Sequence, residues 1–249
     1  MGKPGILSPM LFNQSDFEVR CEWGIQGVLH LAPISDAIIV VDVFSFSTCV
    51  EIATARGATV FPYNGKREEL DEFAKAREAQ VAGFGLSVSG YSLSPHSLLM
   101  IPNGYRLVLP SLNGSTLSLA TGETPTFAGC LRNYQAVAQA AQRYGKRISV
   151  IPAGEHWRAD GSQRPAYEDW IGAGAILSEL PGNLSPEARA ARAAFLDAKS
   201  ELDRLLRSCA SAKEHIEAGL EQNVELVGAA NISDCVPFLH EGAYQDQKS

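Results

Sequence analysis

The stretch Ala37-Ile38-Ile39-Val40-Val41-Asp42-Val43-Phe44-Ser45-Phe46-Ser47-Thr48-Cys49-Val50-Glu51 decides the fold class. Ile38 to Val41 is an unbroken β-branched run, too short for a buried helix, so it predicts an interior strand of a parallel sheet. Thr48 and Glu51 have the spacing of a capping box, which predicts a helix start at the end of the hydroxyl-rich loop. Gly57 closes that helix, and Ala58-Thr59-Val60-Phe61 reads as the next strand. The unit is strand, loop, helix, strand, with Asp42 at the carboxyl end of the first strand, where open α/β sheets keep their sites. The first backbone N–H groups of the helix, with Ser45, Ser47 and Thr48, form a candidate anion cradle beside Asp42. Each residue also has a structural reading: Thr48 as a helix cap, Ser45 and Ser47 as turn formers. Asp42 resists one, because a carboxylate ending a buried apolar strand is costly unless paired or functional.

Outward from this stretch, the chain of 249 residues fits one large α/β domain or two intimately packed halves, taken together as a single domain spanning 1–249. Its composition, 45% hydrophobic and 20% charged, is that of a globular protein with ample core. The formal net charge of −7, with no dense Lys/Arg cluster, argues against a nucleic-acid partner. An anionic substrate then needs a local counter-charge or a metal ion. No apolar run approaches the roughly 20 residues of a membrane span, and Met1-Gly2-Lys3-Pro4-Gly5 is not followed by a signal-type apolar segment. Cys21, Cys49, Cys130, Cys209 and Cys235 are scattered, as expected of small core residues in a reducing cytoplasm.

Residues 1–16 read as a loose leader, and Phe17 to Trp23 alternates like a half-exposed edge strand. Gly24 to Ser35 carries no clear signal. A helix is expected over about Arg67 to Ala79. The Gly/Ser-rich segment from Val81 to Pro95 (Gly83, Gly85, Ser87, Ser89, Gly90, Ser92, Ser94) suits a surface loop or a lid. Arg106 to Leu109 repeats the opening device: strand, polar loop Pro110 to Thr116, short helix. Thr126 to Gly129 is a strand, Asn133 caps a helix from Tyr134 to Tyr144, and Ile148 to Pro152 is a third interior strand. A polar loop from Glu155 to Pro165 carries His156, and a helix opens at Tyr167-Glu168-Asp169-Trp170. Glu168 and Asp169 suit the helix dipole, and adjacent carboxylates at such a junction also suit a divalent cation. Gly172, Ala173 and Gly174 predict close helix packing. Ser185-Pro186-Glu187 is a helix start, Ser211 and Glu214 form a second capping-box pattern, and the last dozen residues read as frayed.

In order, Val41-Asp42-Val43 with Thr48, Asn113-Gly114-Ser115-Thr116, Cys130-Leu131 with Asn133, Pro152-Ala153-Gly154-Glu155, and Glu168-Asp169 with Ala173-Gly174 resemble the motifs of the 2-phosphosulfolactate phosphatases. The resemblance runs from about Val40 to Pro237. It implies a three-layer α/β/α fold with a mainly parallel sheet, built from two similar, intertwined halves. It also implies a magnesium-dependent hydrolase taking 2-phosphosulfolactate to 3-sulfolactate, a step of coenzyme M biosynthesis in archaea. Carried over by position, Asp42, Glu168 and Asp169 become the candidate catalytic and Mg2+-binding residues. Thr48, Asn113, Gly114, Ser115, Thr116 and Asn133 become candidate substrate contacts for a small anion, joined by Ser45 and Ser47 from the hydroxyl-rich loop itself. A homodimer is a further expectation. Two departures stand out: Ser45 occupies the place of the motif's arginine, and Gly83-Phe84-Gly85 lacks the expected glutamate. Loss of a bidentate cation at a phosphoryl group is a large chemical change. The alternative is therefore a relative that binds a small anion without turning it over.

Overall fold

The computed structural model describes residues 12–83 and 90–247. The leader residues 1–11 and the segment 84–89, with Gly85, Ser87 and Ser89, lie outside the described residues. In chain order, β1 (Val19–Cys21), α1 (Gly24–Leu31), β2 (Ala37–Val41), α2 (Phe46–Ala55), β3 (Thr59–Tyr63), α3 (Leu70–Lys75), β4 (Gln80–Val81) and β5 (Arg106–Pro110) form the first part. Then come α4 (Gly114–Ala120), β6 (Thr126–Gly129), α5 (Tyr134–Ala141), β7 (Ile148–Pro152), the small hairpin β8 (Glu155–His156) and β9 (Gln163–Arg164), and α6 (Tyr167–Glu179). The helices α7 (Pro186–Ala198), α8 (Leu202–Ser208), α9 (Ala210–Glu217) and α10 (Glu221–Gly228) precede the strands β10 (Pro237–His240) and β11 (Ala243–Asp246).

Among the described residues, nine strands make one sheet in the order β1-β7-β2-β6-β10-β11-β3-β5-β4. The strands β1, β7, β2 and β6 pair in parallel, as do β3, β5 and β4. The chain leaves the first set after β2, builds the second set, and returns for β6 and β7. The antiparallel hairpin β10–β11 joins the sets, pairing with β6 on one side and β3 on the other. The last residues are thus the bridge of the sheet and not a frayed end. The alternation Phe238, Leu239 and Ala243, Tyr244 hides in a polar, Gly-containing terminus, and only partners remote in sequence make it a strand pair.

Both faces of the sheet are covered, as the short β-branched runs predict. Ile39 and Val41 enter a core with α5, α6 and α7, while Ile38 and Val40 pack against α1 and α4 on the other face. In the second set, Val60, Leu107 and Leu109 face α2, and Phe61, Tyr63 and Val108 face α3. Each fully buried Val or Ile contributes about 1.5–3 kcal/mol, so β2, buried end to end, is a main source of stability. Close packing of α6 follows from its small residues: a Cβ at Gly172 would press Val43 and Val41, and one at Gly174 would strike the Ala191 carbonyl.

Several local expectations are corrected. The helix α2 begins at Phe46 without a side-chain cap. Thr48 Oγ1 instead donates to the Val43 carbonyl (2.9 Å), and Glu51 pairs with Arg132 (2.5 Å). Gly24 to Leu31, silent in sequence, is helical. The edge strand β1 is buried throughout, because Arg20 turns its guanidinium to the carbonyls of Phe17 and Ile34. Ser185 caps α7 as predicted, accepting from Ala188 N–H at 3.1 Å. Ser211 and Glu214 form no cap, since their side chains go to Glu168 and Arg158. The five cysteines are buried and free.

The bridging hairpin is testable through Tyr244, which is fully buried, donates to Ser118 Oγ (2.7 Å) and meets Phe46 edge-on. Tyr244→Ala is expected to cost about 3–5 kcal/mol and Tyr244→Phe about 1 kcal/mol, read from denaturant midpoints. Wild-type stability in Tyr244→Ala would contradict the bridging role.

Candidate active site

The site forms where the loops after β2, β5 and β7 meet. Asp42, the first residue past β2, is 4% exposed, and its carboxylate joins two helix starts. Oδ1 accepts from Phe46 N–H (3.3 Å) at the start of α2, and Oδ2 from Gly114 N–H (2.9 Å) at the start of α4. The backbone of Asp42 is pinned as well: its N–H donates to Ser47 Oγ, which donates on to the Val40 carbonyl. A side chain at Gly114 would overlap the Phe46 ring, so this close approach needs glycine. The Phe44–Ser45 peptide bond is cis.

Asp169, in the first turn of α6, ties the other loops together. Oδ1 accepts from Val43 N–H (2.7 Å) and Oδ2 from Gly154 N–H (2.8 Å). Glu168 beside it accepts from Ser211 Oγ. Glu155, in β8, accepts from Asn113 Nδ2 at 3.1 Å. Asp42 and Glu155 line a cavity of about 380 Å³, together with Ser45, Asn113, Ser211 and His215. Phe44, Phe46, Leu93 and Leu112 supply its apolar walls. Among the described residues lining it there is no lysine or arginine.

Burial without a basic partner sets the electrostatics. It pushes the Asp42 carboxyl up to about 6, opposed by the Phe46 and Gly114 N–H groups and aided by the Glu168 charge. Burial, then the charge of Asp42, raises Glu155 to about 7. Asp169 is held well above the usual carboxylate range by burial, and next by Asp42 and Glu168. Four acids share one region and repel one another.

Of the residues singled out in sequence, the structure brings Asp42, Ser45 and Asn113 to the cavity, with Gly114 bonded to Asp42. Glu168 and Asp169 stand outside its lining. Ser47, Thr48 and Ser115 are fully buried, and their hydroxyls go to backbone carbonyls. Thr116 lies off the lining. Asn133 is also buried, clamping Cys130 N–H and the Cys235 carbonyl. The loop hydroxyls therefore brace the turns, and the anion cradle expected at the start of α2 is filled by Asp42 itself. Sequence patterns alone do not single out Glu155, Ser211 or His215 as site residues. Glu155 closed a motif in sequence, whereas His215 had no local signal, since helices α9 and α10 carry it to a loop 170 residues away.

Among the described residues, no three His, Cys, Asp or Glu side chains converge as a metal-ligand set, because Asp169 and Glu168 are engaged elsewhere. The donor chemistry still fits magnesium, which takes one or two carboxylates and fills its shell with water and substrate oxygens.

The raised Glu155 carboxyl gives a sign-definite prediction for the protein without divalent cation. Between its ordinary value of 4.5 and about 7, the unfolded chain sheds a proton that the folded chain keeps. This contribution is present at low pH and is lost as pH rises to about 7. Glu155→Gln should therefore be about 1–2 kcal/mol more stable than wild type at pH ~8 and equal at pH ~4.5 by thermal melting. The opposite ordering would contradict the buried, uncompensated carboxylate.

Comparison with known proteins gives the family. A relative from Methanothermobacter thermautotrophicus, named 2-phosphosulfolactate phosphatase, is 27% identical over 208 residues, covering 84% of this chain and 88% of the relative. One from Pseudothermotoga lettingae, named probable 2-phosphosulfolactate phosphatase, is 25% identical over 214 residues, covering 84% and 92%. The family model described as 2-phosphosulpholactate phosphatase matches residues 26–242, so the chain belongs to that family.

Proposed function

We propose that this protein is a magnesium-dependent phosphatase that hydrolyses 2-phosphosulfolactate to 3-sulfolactate and inorganic phosphate. The observation that carries the reading is the cavity at the end of β2, walled by Asp42, Glu155 and apolar side chains, with no lysine or arginine among its described lining residues. A dianionic phosphate ester cannot approach such a wall unaided, so the wall calls for a hard cation between carboxylates and substrate.

Asp42 and Glu155 would hold the ion, and Glu168 and Asp169 deepen the negative field around it. When bound, magnesium would neutralise charge on the phosphoryl oxygens and so open the phosphorus to attack. The remaining work belongs to the chain. Asn113 Nδ2 holds Glu155 in place, and the N–H groups of Phe46 and Gly114 fix both oxygens of Asp42. Asp169 locks Val43 and Gly154, keeping the loops after β2 and β7 in register. Phe44 and Phe46 give the cavity buried apolar lining, which strengthens polar contacts beside it. Free, buried cysteines suit a reducing cytoplasm, and no described helix is long and apolar enough to cross a membrane.

Phosphate release from 2-phosphosulfolactate, measured with and without Mg2+, tests the proposal. Turnover is expected only with the metal, reduced by at least about 100-fold in Asp42→Asn. The Mg2+ requirement should rise as pH falls below about 6, where Asp42 takes up a proton. Ligand-induced thermal stabilisation without turnover would replace the phosphatase with a binding protein, and full activity in Asp42→Asn would remove Asp42 from the site.

A further inference from the structure

The helices α9 and α10 bring to the cavity a chain of polar side chains that the phosphatase reading does not use. His215 is 4% exposed and lines the cavity beside Ser45, which is 7% exposed. Its Nε2 lies 3.4 Å from Ser45 Oγ, and its Nδ1 lies 3.1 Å from Asn223 Nδ2. Asn223 is fully buried, and its Oδ1 receives the His96 backbone N–H and the Ser94 hydroxyl, each at 3.0 Å.

These contacts leave one direction for the protons. A backbone N–H can only donate, so the Asn223 atom facing His96 is the carbonyl oxygen, and the amide cannot be flipped. Asn223 Nδ2 is then a donor, which requires an unprotonated Nδ1 on His215. Burial keeps the imidazole neutral by lowering its pKa to about 4. A neutral ring lacking a proton on Nδ1 carries it on Nε2, and that N–H is aimed at Ser45 Oγ. The Ser45 oxygen therefore accepts from within the protein, and no acceptor for its own proton is found among the described residues. The hydroxyl is nine-tenths buried and faces the cavity.

We infer that Asn223, His215 and Ser45 form a one-way hydrogen-bond relay that presents the Ser45 O–H to an oxygen of a tetrahedral oxoanion in the cavity. The inference rests on the reading of that cavity as a phosphate-ester site and names how the chain holds the anion without a basic side chain. Ser45 touches the ligand. His215 is a positioning residue: it fixes the hydroxyl rotor, and its N–H polarises the hydroxyl it donates to. Phe44, tilted over the imidazole at 5.0 Å between ring centroids, keeps the ring in its plane. An unprotonated oxoanion oxygen is an acceptor only, so the free Ser45 O–H complements it.

The test uses the full chain, with inorganic phosphate as the probe in the presence of Mg2+. Long-range 1H–15N spectra of the histidine rings should show His215 as the Nε2–H tautomer, with its resonances shifting as phosphate is added. By calorimetry, Ser45→Ala and His215→Leu should bind phosphate about tenfold more weakly. His215→Gln, whose amide can accept from Asn223 and donate to Ser45, should stay within about threefold of wild type. With ester substrate the loss should fall mainly in KM, since the relay binds the anion before and after the reaction alike. A Nδ1–H tautomer, or unchanged phosphate affinity in folded His215→Leu, would overturn the relay. Should His215→Leu fail to fold, the wild-type tautomer and the Ser45→Ala affinity still decide it. Absence of turnover alongside His215-dependent phosphate binding would sink the phosphatase and leave the relay. Turnover with affinity indifferent to His215 would do the reverse.

Discussion

The carboxylate of Asp42 is the interaction on which the rest depends. Its two oxygens accept from the first N–H groups of α2 and α4, helices that belong to the two oppositely directed parallel sets of the sheet. A helix start leaves N–H groups unpaired and carries partial positive charge, and one buried acid satisfies both starts at once. The arrangement also explains why a charged group tolerates the end of a strand buried along its length. Its desolvation is offset by two backbone donors and two helix ends. The same acid then faces a cavity, so the structural clamp and the candidate catalytic group are one residue.

Around that clamp the polar groups sort by direction. Asp42, Glu155 and Asp169 are acceptors whose carboxyls are raised by burial and further by the charges of Asp42 and Glu168. Ser45 and His215 are donors, and Ser45 occupies the place from which the family resemblance expects an arginine. Neutral donors bind an oxoanion more weakly than a guanidinium and leave the counter-charge to a cation. On the proposed reading the pocket would divide its work between a metal held by carboxylates and hydroxyl and imidazole donors that orient the anion.

Sequence patterns of short range were legible. The run Ile38 to Val41 has few ways to fold, and Gly57 has the positive φ of a helix end. Ser185 with Pro186 marked a real cap. The order of five motifs led to the family, and Asp42 stood out because its cost needed an explanation. What escaped was long-range. Thr48 and Glu51 have capping-box spacing, but Glu51 has Arg132 as a partner 81 residues away, a stronger interaction than a cap. Phe238 to Tyr244 looked like a terminus because its strand partners are β6 and β3. His215 and Asn223 looked like ordinary helix residues. Their roles come from the fold of α9 and α10 against Ser94 and Ser45, which no spacing in the sequence records.

The most direct measurement of the clamp is the pH dependence of the backbone amide protons of Phe46 and Gly114, followed by NMR in the absence of divalent cations. One carboxylate receiving both N–H groups predicts that the two resonances titrate together, with a shared midpoint of about 6, and that both transitions vanish in Asp42→Asn. Separate midpoints, or transitions that persist in Asp42→Asn, would contradict the claim that Asp42 joins the two halves at the site.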